Sequence, residues 1–188
     1  SEVPRYYVYN AYGVCGIYSA PGTAVKEAYD TSGIVTNDRG VTVWLKGNRV
    51  SRNQIMAIKE ESVTEQKNSL AVCLDNILRH AGITRNTEYD LAQGKTATTI
   101  LSENMTGVQV LDLSGCTLDA VLYYVNQDIP VLAILEDGEA VLVTGFNEFN
   151  VVIMEPATGK LYKKGMNDAT AWFAENGNHF ITYMRTEN

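Results

Sequence analysis

Three cysteines, Cys15, Cys73 and Cys116, and two histidines, His80 and His179, are the side chains of this chain best suited to supply a thiolate or an imidazole near neutral pH. A thiol becomes a nucleophile when a neighbouring imidazole or a helix N-terminus lowers its pKa, so spacing decides what these residues can do. His80 follows Cys73 by two helical turns, about 10 Å along an axis, too far to take its proton. His179 heads the last strand-like segment and reads as a surface or structural histidine. Cys73 lies on the apolar stripe of its helix, where a free cysteine is more often a core residue than a nucleophile. The cysteines lack the C-x-x-C spacing of a zinc site. Glu136, Asp137 and Glu139 flank Gly138 without the length or alternation of a calcium loop, so a solvated turn is expected there. Gly13 and Gly16 belong to no phosphate-binding pattern. No metal and no cofactor is expected. A Cys73–Cys116 bridge would be the preferred pairing in an extracellular protein, but separate buried thiols are the default.

The elements that must position these residues belong to a chain of 188 residues with 45% hydrophobic and 20% charged residues, the composition of an ordinary globular protein. That length suits one domain, or one domain with a small appendage. The net charge of −7 makes the surface repel phosphate backbones, and Lys163 and Lys164 are too few for a basic patch, so nucleic acid is not expected as a partner. No apolar run approaches the ~18 residues that span a bilayer, so membrane insertion is not expected. The first residues lack the features of a signal peptide, although an excised mature fragment of a secreted protein would read the same way.

The opening, RYYVYNAYGVCGIYS, suits one bent strand or two short ones. Its tyrosines, Tyr6, Tyr7, Tyr9, Tyr12 and Tyr18, could offer an aromatic face to a sugar or peptide, but core and cross-strand packing is the more ordinary use. A helix is expected from Pro21 to a stop at Ser32 and Gly33, then a hairpin turning at 37–40. Residues 1–58 thus read as a small β-α-β-β unit. A polar stretch follows, with one or two helical turns around Ile55, Met56 and Ile58. In SLAVCLDNILRHAG the apolar positions repeat as one face of a buried helix ending at Gly82. Short helices are expected at 88–94 and 96–104, the second capped by Thr96, and another after Thr117, with Pro130 closing that stretch. Four strand-like segments and turns, a short helix and a last strand complete the chain. Helices followed by antiparallel strands predict an α+β domain with its helices packed on the sheet.

These residues resemble the C39-like family of papain-fold cysteine peptidases. There a nucleophilic Cys begins a buried helix in a string like CGPASLAMVLRYYG, followed later by P-V, G-H-A-V, an apolar strand ending in G-Y or G-F, and D-P-x-x-G. This chain has SLAVCLDNILRHAG, Pro130-Val131, Gly138-Glu139-Ala140-Val141, Gly145-Phe146 and Glu155-Pro156-Ala157-Thr158-Gly159. The resemblance runs from Ser62 to Met184. It implies a papain-like domain over 62–188, with Ser69 where the family has its Cys, Leu70 where it has Gly, Glu139 in place of the catalytic His and Glu155 in place of the orienting Asp. Gln66 stands seven residues before Cys73 and three before Ser69, and neither spacing is the family's for its oxyanion-hole glutamine.

A carboxylate does not replace the imidazole, because at neutral pH it has no proton to give, and a serine hydroxyl ionises far less readily than a thiol. The resemblance therefore implies a degenerate, catalytically inactive relative that binds a peptide or protein segment, in a bacterial secreted or cell-surface protein. Two alternatives stand beside it: an active cysteine hydrolase using Cys73, and a purely structural spacer. The oligomeric state is left open.

Overall fold

Asn10 turns the tyrosine-rich opening back on itself by accepting the Tyr12 N–H at 2.8 Å through Oδ1, and Gly13 takes φ +115°, where an L side chain is strained. Two short strands result, β1 (Tyr6–Asn10) and β2 (Gly13–Tyr18). Of the two readings of this segment the hairpin is the one formed, so the small unit is β-β-α-β-β. The computed structural model describes residues 3–46 and 68–186. Ile55, Met56, Ile58, Gln66 and the boundary expected between 58 and 62 lie outside the described residues.

Helix α1 (Pro21–Thr31) starts with proline in its first turn. It stops where Ser32 adopts φ +55° and the Gly33 N–H reaches the Ala28 carbonyl at 2.8 Å. Ala24, Val25 and Ala28 on its buried side pack toward β1 and β3 (Ile34–Asn37), which pairs with β4 (Thr42–Leu45) in an antiparallel sheet ordered β2-β1-β3-β4.

The larger unit opens with α2 (Ser69–His80), followed by α3 (Glu88–Ala92), α4 (Ala97–Asn104), β5 (Val108–Asp112) and α5 (Leu118–Val125). Thr96 and Thr117 cap α4 and α5, as their positions predict, each accepting a backbone N–H three residues on. Helix α5 ends before Pro130 is reached, because Asp128 takes φ +64° and the Ile129 N–H closes onto the Tyr124 carbonyl at 3.1 Å. Strands β6 (Val131–Ile134), β7 (Ala140–Phe146), β8 (Asn150–Glu155) and β9 (Lys160–Gly165) follow, then α6 (Met166–Glu175) and β10 (His179–Arg185). They form an antiparallel six-stranded sheet ordered β5-β10-β6-β7-β8-β9. The fold is α+β, with helices packed on an antiparallel sheet.

One apolar core runs through both units, from Val8, Val25 and Val35 to Leu74, Val121 and Leu142. Reciprocal hydrogen bonds cross between them: the Trp44 indole N–H donates to the Ala120 carbonyl at 2.9 Å, and the Tyr124 hydroxyl donates to the Val43 carbonyl at 2.8 Å. Tyr29 Oη donates to Asp119 Oδ2 at 2.9 Å, and Gln109 Nε2 donates to Tyr6 Oη at 2.7 Å. A Cβ on Gly22 would stand 2.8 Å from the Ser114 carbonyl, so glycine is what lets α1 approach the β5–α5 loop this closely. Buried polar groups paired in this way fix the small sheet against α5 and β5.

Candidate functional site

Two of the expected site positions, Ser69 and Glu139, lie near one another at the head of α2. Asn68 caps that helix, its Oδ1 accepting the N–H groups of Leu70 at 2.9 Å and Ala71 at 3.3 Å. Ser69, the first helical residue, is half-buried, and its Oγ accepts the Ala140 N–H at 2.9 Å. Ala140 begins β7, so the Ser69 hydroxyl lies one residue along the chain from Glu139. Nothing in the sequence pattern alone marks this contact.

Glu139 belongs to the tip of the β6–β7 hairpin, where Gly138 takes φ +84°. Its N–H donates to Asp137 Oδ1 at 2.9 Å and its carbonyl accepts the Leu135 N–H at 2.8 Å. The residue is exposed, and no described residue hydrogen-bonds its carboxylate. Glu155 ends β8 and is held at its own turn: Oε2 accepts the Thr158 hydroxyl at 2.9 Å and the residue pairs with Lys160 across to β9. The structure thus brings Ser69 to the segment that carries Glu139 and leaves the Glu155 carboxylate bonded within the β8–β9 hairpin. Leu70, beside Ser69, is partly buried against the core.

Cys73 stands one turn further along α2 and is wholly buried. Loss of hydration pushes its pKa far above that of a free thiol, which disfavours the thiolate that catalysis would need. Cys116 is buried as well, its Sγ 3.3 Å from the Gly22 carbonyl, and burial pushes its pKa up to about 12. Cys15 is exposed, and all three thiols are free, so Cys73 and Cys116 are separate.

Neither histidine stands beside a thiol. His80 is at the far end of α2, about 16 Å from Ser69 by helix rise, with Nε2 3.1 Å from the Asp128 carbonyl. His179 opens β10 in register with Ile134, which in turn faces Ala140 on β7, so two strand spacings, about 10 Å, separate its backbone from Ala140. Its Nε2 lies 3.9 Å from Asp112 Oδ1 on the other side of β10.

What remains at the head of α2 is a hydroxyl anchored as an acceptor, a helix N-terminus satisfied by Asn68, and an exposed acidic hairpin formed by Glu136, Asp137 and Glu139. Among the described residues no group of three His, Cys, Asp or Glu side chains could hold a metal ion, and no helix is long and apolar enough to cross a membrane.

No family model matches the sequence, and no curated protein does. Among solved structures, the chain is similar to one described as a putative C39-like peptidase from Bacillus anthracis, with a TM-score of 0.58 and 12% identity over 73% of this chain and 100% of that one. A second, a double glycine motif protease from an AMS/PCAT transporter solved in complex with the leader peptide, gives a TM-score of 0.42 and 14% identity over 74% of this chain and 97% of that one. The first likeness establishes a C39-like fold.

Proposed function

From this C39-like fold we propose that the chain is a non-hydrolytic relative of the C39-type peptidases, which holds a peptide or protein segment at the surface formed by the head of α2 and the β6–β7 hairpin. One observation carries the reading: Ser69, which the sequence resemblance aligns with the family's cysteine, accepts the Ala140 N–H, and no imidazole accompanies it. An acyl-transfer site needs a nucleophile with a base in bonding reach and a proton carrier for the leaving group. Ser69 keeps a hydroxyl proton to donate, which suits binding a carbonyl. It has no described partner able to take that proton away.

Cys73 as nucleophile has its burial against it, since a substrate carbonyl would have to enter the core to meet the sulfur. The cellular side of the proposal, a bacterial secreted or surface protein, rests on the family resemblance alone and is open to cell fractionation.

The experiment is to titrate the isotopically labelled chain with a panel of unstructured peptides, following backbone amides by NMR and peptide masses over the same hours. Saturable shifts centred on Ser69, Leu70, Glu139 and Ala140, with every peptide recovered intact, support the proposal. Cleavage lost in Ser69→Ala or Cys73→Ala would make the protein an enzyme. Absence of any saturable shift would favour a spacer.

A further inference from the structure

Arg185 and His80 are brought together at the end of α2 opposite Ser69. Arg185 Nη1 donates to the Gln127 carbonyl at 3.1 Å, and His80 Nε2 lies 3.1 Å from the Asp128 carbonyl. Successive Cα atoms are about 3.8 Å apart, so two groups held on neighbouring carbonyls stand within roughly 10 Å of each other. Both line a cavity of about 310 Å³, whose remaining walls include Ala81 after α2, Gly107 and Val108 at the start of β5, and Tyr183 on β10. The Thr186 N–H donates to the Gly107 carbonyl at 3.0 Å and ties the end of β10 to that rim.

Charge sets this cavity apart from the rest of the surface. Acidic residues outnumber basic ones by 22 to 15 in the chain, yet none lines it. Among the described residues neither Arg185 nor His80 hydrogen-bonds a carboxylate. Tyr183 adds an independent sign. It keeps only 3% of its surface exposed, and no described residue hydrogen-bonds its hydroxyl, although a buried phenol ordinarily finds a partner. Alternation along β10 puts Tyr183 and Arg185 on one face of the strand. Burial pushes the Tyr183 pKa up against the opposing pull of the Arg185 charge, so the phenol keeps its proton at neutral pH and can donate it in a hydrogen bond.

We infer that this cavity binds a small organic monocarboxylate, its carboxylate held by the Arg185 guanidinium and the Tyr183 hydroxyl and its apolar body lying against Val108 and Ala81. A guanidinium presents a planar fork of donors that matches one carboxylate. One permanent cation and one neutral donor balance a single negative charge, whereas a phosphate dianion asks for more. With Nε2 donating to the Asp128 carbonyl, the Nδ1 of His80 is left to accept from a ligand hydroxyl or amide N–H. A water molecule claims about 30 Å³ of liquid, so the cavity takes roughly ten non-hydrogen atoms. A ligand of that size binds with a dissociation constant of about 1 mM.

NMR titration of the labelled chain at neutral pH and fixed ionic strength tests the inference, with sodium hexanoate, sodium benzoate, benzamide as the neutral twin of benzoate, and inorganic phosphate. Hexanoate or benzoate should give saturable shifts at the Ala81, Gly107, Val108 and Arg185 amides and leave Ser69 and Ala140 in place, so the outcome is separate from that at the head of α2. Benzamide should bind at least about tenfold more weakly than benzoate. Arg185→Gln should weaken the acid at least about tenfold. Because Arg185 also anchors the Gln127 carbonyl, Tyr183→Phe serves beside it: the ring stays, no hydrogen bond to a described residue is lost, and affinity should fall about threefold or more. Absence of any saturable shift would mean a cavity that holds only water and would overturn the inference. So would benzamide binding as well as benzoate, phosphate binding more tightly than either acid, or an affinity unchanged in either variant.

Discussion

Alkylation of the three free thiols in one sample provides a sharp test of how α2 is built. At pH 8 a thiol of ordinary pKa, about 8.5, is roughly one quarter thiolate. Cys116, pushed up to about 12 by burial, is on the order of 10⁻⁴ thiolate at that pH, a deficit of about 10³ before access is considered. Cys73 has no exposed surface, desolvation is what shifts it, and it is pushed higher still. Cys15 is exposed in the same molecule and serves as the internal reference. A short pulse of iodoacetamide at pH 8, quenched and read site by site by peptide mass spectrometry, should modify Cys15 at least about 10³ times faster than Cys73. Labelling at Cys73 should rise only in urea concentrations that open the fold. Modification of Cys73 within about tenfold of Cys15 in the native protein would refute the buried placement and restore a hydrolase built on that thiol.

Two further outcomes follow from the joint between the units and from the buried titratable groups. Tyr124→Phe removes the donor to the Val43 carbonyl inside the core and should cost about 1–3 kcal/mol of unfolding free energy, measured by denaturant melts. The pKa values of Cys73, Cys116 and Tyr124 are all raised by burial in the folded protein. Their contribution to stability is therefore complete below the unfolded-state values and is lost as pH rises above them. Stability should fall by about 1.4 kcal/mol per pH unit for each ionising group, the thiols from about pH 8.5 and the tyrosine from about pH 10. Cys116→Ser should flatten the first part of that decline, and an alkaline profile without such a slope would contradict the burial of these groups.

Much of the fold was legible because its signals are local. The repeat of apolar residues from Leu70 to Leu78 marks α2. Gly82, at φ +85°, stops the chain after it, with the Ile83 N–H closing onto the Leu78 carbonyl at 2.8 Å. Thr96 and Thr117 announce their helices through cap chemistry, and the Asp-Gly and Thr-Gly turns divide the strands of the larger sheet. The joint between the units is different. Its partners, Trp44 with Ala120, Val43 with Tyr124 and Tyr29 with Asp119, are 76, 81 and 90 residues apart, and no periodicity encodes such pairs. The tyrosines of the opening show the same limit: alternation separates Tyr6 from Tyr7 and Tyr9, but composition alone does not say which face becomes core. At the candidate site, the family pattern brought Ser69 and Glu139 under suspicion together. The contact that ties them, from Ser69 Oγ to the Ala140 N–H across 71 residues, required the fold. Asn68 was missed as the cap of α2, although an Asn just before an apolar-periodic run is the signal that could have found it.

The paired bonds at the joint have an evolutionary corollary. In each of them an aromatic side chain donates to a main-chain carbonyl, Trp44 to residue 120 and Tyr124 to residue 43, and a carbonyl is present whatever amino acid occupies the position. Selection to keep the two units locked should therefore weigh on the two aromatic donors far more than on the residues that accept from them. Descendants of this architecture can drift at 43 and 120, within the limits of fit, while the indole and the phenol are inherited together or lost together.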